Sequence, residues 1–131
     1  MGSFSNYWEN KILDHIFGKA SYTPSTIYVG LSTADPLDDG SGLAEPSGNG
    51  YARAVTSTGD WNVASAGTID NANTITFSEA TGNWGTITFF VLFDAATAGN
   101  MLAYGELSQS KVINSGDTGK FAAGDLDVSL D

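Results

Sequence analysis

Cysteine is absent from this 131-residue chain, which excludes disulfide staples and thiolate metal sites. Histidine occurs once, as His15. A nucleophilic triad needs a base oriented by a third group, and neighbouring Asp14 points about 100° away around a helix. No GxSxG elbow is present either. Bases are scarce: five Lys and Arg stand against fifteen Asp and Glu, a net charge of −10. Such a surface repels phosphate polymers and anionic lipid, so neither nucleic acid nor membrane is an expected partner. No apolar run approaches the roughly twenty residues of a membrane helix. The first residues lack a basic region followed by an apolar core, so no signal peptide is expected.

What is present is β-like. The chain is organised around residues 86–93, TITFFVLF, a β-branched and aromatic run of strand length. Ile87, Phe89, Val91 and Phe93 fall on one face and Thr86, Thr88, Phe90 and Leu92 on the other. The first face is wholly apolar and the second becomes so towards its end. This predicts a central strand with the core on one side and, on the other, a helix or a partner subunit in part. Residues 26–33 alternate, with Ile27, Val29 and Leu31 inward. Further strands are expected at 51–56, 74–77, 101–107, 111–114 and 125–131, with a marginal one at 61–65; 89–93 and 101–104 read as a hairpin. Residues 66–73 read as polar loop. Turn residues fill the connections, in keeping with eleven Asp and sixteen Gly.

One helix is expected, over residues 6–17. Asn6 and Glu9 have capping-box spacing. Trp8, Ile12 and Ile16 form an apolar stripe widened by Leu13 and Phe17, and Gly18 is a natural stop. The expected fold is therefore all-β: an antiparallel β-sandwich or jelly roll of about seven to nine short strands with one N-terminal amphipathic helix. Residues 1–131 read as a single domain, with a helical segment at 1–18 and the sandwich over 26–131.

Chemistry-bearing clusters are few. Asp35, Asp38, Asp39 and Glu45 lie in the long 34–50 loop and could form an irregular calcium site. EF-hand spacing fails there, because Leu37 and Pro46 fall on ligand positions, and turn capping by solvated acids is the competing reading. Paired carboxylates for glycoside hydrolysis lack a distinctive context. Tyr51, Trp61 and Trp84 either stack sugars or close the core. No catalytic residue, metal or cofactor is assigned.

Several stretches, taken in order, carry a resemblance: NYWENKILDHIFG (6–18), IYVGLSTADP (27–36), DDGSGLAEPSGNGYAR (38–53), FSEATGNWGTITFFVLFDA (77–95), GNMLAYGEL (99–107) and SGDTGKFAAGDLDVSLD (115–131). Together they resemble small bacteriophage virion structural proteins of the tail-fibre-like or capsid-decoration type. The resemblance implies a non-enzymatic virion component, assembled in the host cytoplasm, and brings no catalytic residues. A short, non-repetitive chain suits a capsid decoration (cement) protein better than a fibre shaft. The alternatives are a tail or head fibre component, or a receptor- or carbohydrate-binding module at a tail tip. The implied partners are the major capsid protein or another virion protein, and further copies of the chain, with a trimer favoured. Trp8, Ile12, Ile16, Leu37, Leu43, Phe90 and Leu92 are the expected interface residues. The 34–50 loop is expected to gain structure only on its partner.

Overall fold

The computed structural model describes residues 2–130; Met1 and Asp131, the last residue of the expected closing strand, lie outside them. In chain order the elements are β1 (Gly2–Phe4), α1 (Asn6–Ile16), β2 (Tyr28–Ser32), β3 (Ala54–Val55), β4 (Thr68–Asp70), β5 (Ile75–Thr76), β6 (Gly85–Phe93), β7 (Met101–Ile113), β8 (Lys120–Phe121) and β9 (Asp127–Ser129). The fold is mostly β with one short helix, as the residue patterns predict.

Seven strands form one curled sheet in the order β3-β2-β6-β7-β1-β9-β4. Strands β5 and β8 form a small second layer. The core lies between the two: Val29, Leu31, Phe90 and Leu92 of the large sheet meet Ile75 and Phe77, with Phe121 packed against them. The second layer of the expected sandwich is thus a two-stranded ribbon rather than a full sheet.

Three differences from the sequence reading matter. First, the sheet is mixed. The first residues are not merely a lead-in to the helix: β1 inserts between β7, to which it is antiparallel, and β9, to which it is parallel. Second, β4 occupies part of the expected 66–73 loop. Ala66 (φ 53°) and Gly67 (φ 77°) make the tight connection there, with Ser65 and Thr68 bonded to each other across it. Two left-handed central residues are the signature of a hairpin turn, but an alanine in that conformation gives no sequence signal.

Third, the faces of the central strand are exchanged. β6 pairs with β2 so that Val29 opposes Leu92 and Leu31 opposes Phe90. The inward set of β2 therefore carries Phe90 and Leu92 into the main core. Ile87 joins them because the register shifts between Ile87 and Phe89. Val91 and Phe93 pack on the other side with Met101, Leu43 and Tyr104, so the second face is covered by the long loop rather than by a helix or a second subunit. Phe90 and Leu92, each 2% exposed, have no surface left for a partner.

The ring of Phe90 fixes a close approach. Gly2 and Gly105 oppose each other across β1 and β7. A Cβ on Gly105 would sit 2.6 Å from Phe90 Cε1 and 2.7 Å from the Gly2 Cα. Gly105→Ala is expected to destabilise the fold by about 1–3 kcal/mol through overpacking, read as a lower urea midpoint. An unchanged midpoint would show that β1 can move aside.

Candidate functional site

Helix α1 is pinned at one end and free at the other. Its cap is Ser5, not Asn6. The Ser5 backbone N–H donates to the Leu102 carbonyl (2.8 Å), its hydroxyl donates to the Met101 carbonyl (2.5 Å) and that oxygen accepts from the Trp8 N–H (3.3 Å). Asn6 N–H donates to the Asp38 carbonyl (3.0 Å). Phe4, just before the cap, packs its ring 4.5 Å from that of Trp8, much like a hydrophobic staple. A serine preceded by an aromatic residue was the available signal for this start.

The stripe on α1 then divides. Tyr7 and Trp8 pack against the core and Ile12 is half-buried. Further along, Leu13 is 55%, Ile16 71% and Phe17 74% exposed. The helix is capped by Phe17 and the chain turns away at Gly18, which takes φ 73°, with the Lys19 N–H bonded to the Asp14 carbonyl. The returning chain braces the helix: Trp8 Nε1 donates to the Tyr22 hydroxyl (3.0 Å) and the Tyr22 N–H donates to His15 Nδ1 (3.1 Å). The result is a fixed helix whose last turn presents three large apolar side chains to solvent. Exposed apolar groups clustered in this way mark a contact surface.

The long loop is folded onto the chain itself. Its acids do separate jobs. Asp35 accepts from the Leu37 N–H and Asp39 from the Ser41 N–H, the Asx turns that compete with a metal reading. Hydrogen bonds from Ser41 hold the Asp39 carboxyl below its ordinary range. Asp38 accepts from the Tyr104 hydroxyl. That bond, together with burial, pushes the Tyr104 phenol up to about 12. Glu45 faces Arg53 in a fork of 2.7 and 3.0 Å. Among the described residues no group of three His, Cys, Asp or Glu side chains is brought together to hold an ion. The calcium candidates are scattered because each carboxylate already has a nearer donor.

Arg53, the one arginine of the chain, is the centre of this region. Its Nη1 donates to the carbonyls of Ala95 and Ala98 (2.8 Å each). Its guanidinium lies 3.6 Å over the ring of Phe93. Tyr51 donates to Glu45 (2.6 Å) and accepts from the Leu31 N–H (2.9 Å). Burial, then the bond to Glu45, raises the Tyr51 ionisation well above its ordinary value. The long loop, the approach to β3 and the β6–β7 turn are thereby locked together. Leu43 is used inside this lock, whereas Leu37 is 48% exposed in a left-handed conformation (φ 64°).

The aromatic candidates for sugar stacking are committed to the fold. Trp84 is 4% exposed, donates from Nε1 to the Asn49 carbonyl (2.8 Å) and meets Tyr51 edge-on at 5.2 Å. Trp61 is half-buried and donates to Thr56 Oγ1 (3.0 Å).

A family model described as "Podophage GP4 fiber I protein gp80" matches residues 3–129. No curated protein matches the chain significantly.

Proposed function

Because the chain belongs to the Podophage GP4 fiber I protein gp80 family over residues 3–129, we propose that it is a non-enzymatic component of a tail or head fibre of a bacteriophage virion. The family match is the observation that carries this reading. It supports a fibre-type structural role over capsid decoration, since the family's description names a fibre protein.

The exposed end of α1 is the proposed attachment point. Leu13, Ile16 and Phe17 form the apolar centre of a contact, and the −10 charge of the chain favours a partner whose docking surface is basic. The partner in this reading is another virion protein. Self-association, with a trimer as the expected state, belongs to the same reading, because copies held side by side add their contacts.

Purified protein mixed with fibre-stripped tails and with heads gives the test. Binding to tails or to a head-fibre attachment site is expected. The pair Ile16→Ser and Phe17→Ser should weaken it at least about tenfold, given the apolar area at stake, with an unchanged unfolding temperature. Saturating binding over the whole head surface would restore the capsid-decoration reading. Full binding by the double variant would remove α1 from the contact.

A further inference from the structure

A second surface is lined by no residue of α1. The strand pair β6–β7 loses register in its middle: the step from Ile87 to Phe89 spans two residues on β6 and five on β7, from Lys111 back to Glu106. Over this step β7 carries three residues more than β6. Between this bulge and the segment that carries β8 opens a groove of about 900 Å³. Bulges that re-aim side chains recur beside binding sites, and the volume lies within the roughly 300–1,000 Å³ of small-molecule sites.

The lining has two parts. The floor is apolar: its accessible ring is Phe121, half-buried and edge-on to Phe77 and Phe90 at 6.1 and 6.3 Å, while Phe90 and Ile87 are sealed in the core beneath it. The walls are polar. Glu106, Gln109, Lys111 and Lys120 line them, are exposed, and make no side-chain hydrogen bond or ion pair with any described residue. Two acceptor-capable and three donor-capable groups, counting Gln109 in both, thus surround an aromatic floor with their hydrogen-bonding capacity unspent.

We infer that this groove binds a neutral oligosaccharide. A sugar ring has an apolar C–H face for an aromatic floor and a rim of hydroxyls that each donate and accept. The charges decide between neutral and acidic sugars. Asp117 and Asp125 line the groove beside Glu106, so these three carboxylates outnumber the two lysines. Acidic polysaccharides, nucleotides and free phosphate are disfavoured by that balance. The site differs from the stacking residues expected from sequence, Tyr51, Trp61 and Trp84, none of which lines the groove. It does not depend on where the chain sits on a virion.

The test uses the full chain and a panel of neutral hexose, deoxyhexose and N-acetylhexosamine oligosaccharides, with sialylated and uronic-acid oligosaccharides as the acidic set. Binding is read by calorimetry and by amide shifts. Saturable binding within the neutral set is expected, with shifts at residues 106–111 and 118–121. Glu106→Ala and Gln109→Ala should each weaken it about tenfold by removing a hydrogen-bonding group, with no change in thermal unfolding. Ile16→Ser should leave it untouched, which separates this site from attachment through α1. No binding to any neutral sugar, binding confined to the acidic set, or binding indifferent to both groove variants would each overturn the inference.

Discussion

Arg53→Ala is expected to cost about 3–5 kcal/mol, because it breaks a buried ion pair and leaves one charge without its partner. The side chains of Arg53 and Glu45 are 5% and 18% exposed. The loss is not confined to the pair. The carbonyls of Ala95 and Ala98 lose their donor and the ring of Phe93 loses the guanidinium above it. In a chain of this size the midpoint of thermal unfolding should fall by roughly 10–20 °C. Arg53→Lys keeps the charge but not the planar fork, so it should recover only part of the stability. The long loop should also become a target for limited proteolysis, since Glu45 would no longer hold it. A loss below about 1 kcal/mol, the range of a surface pair, would mean that water replaces the guanidinium without strain.

Asn71→Asp should be the most damaging single-atom exchange, and its effect should depend on pH. Asn71 is fully buried. Its amide nitrogen donates to the carbonyls of Asn73 and Ala122 (2.9 Å each), and its side-chain oxygen accepts from the Leu126 N–H (2.9 Å). An aspartate at this position turns an oxygen towards two carbonyl oxygens. The charged form is disfavoured there, so the folded-state pKa of the new group rises above the unfolded value of about 3.9. The protonated form still has one hydrogen to donate. The variant should therefore lie closest to the parent at and below about pH 4, then lose stability as the pH rises through the unfolded value towards the raised folded one. At pH 7 the loss should reach about 3–4 kcal/mol. Denaturant titrations of both proteins across pH 3–8 measure it, and a pH-independent difference would sink the assignment of Asn71 as a donor to both carbonyls.

Elements with apolar alternation were legible in the sequence. Val29 and Leu31 on β2, Leu126 and Val128 before and within β9, and the run ending at Phe93 all announce themselves by period and residue type. The hairpin of β6 and β7 is where the patterns put it. Elements held by distant partners were not legible. Gly-Ser-Phe at the start has no alternation, and its pairing comes from residues 103–105 and 128–129. The faces of β6 were misassigned because a covering loop and a covering sheet demand the same apolar residues. Leu130, within the expected 125–131 strand, is 64% exposed, one residue past the last pairing with β4 at Ser129. Of the candidate site, the stripe on α1 was visible, but not which half of it the sheet would take. Glu45 and Arg53 sit in a loop and beside a two-residue strand, so no periodicity marks them as a pair. The groove lies at a register shift, which depends on two strands at once.

The insertion of β1 between β7 and β9 has a kinetic consequence. Gly2 pairs with Gly105 and with Val128, so the middle of the sheet closes only after nearly the whole chain has been drawn together. Closing so long a loop costs entropy before any contact repays it, and folds dominated by such pairings form in about milliseconds to seconds rather than microseconds. During synthesis β1 must wait for its partners β7 and β9, both made after it. Until β1 docks, β7 offers an open edge to any other strand that meets it.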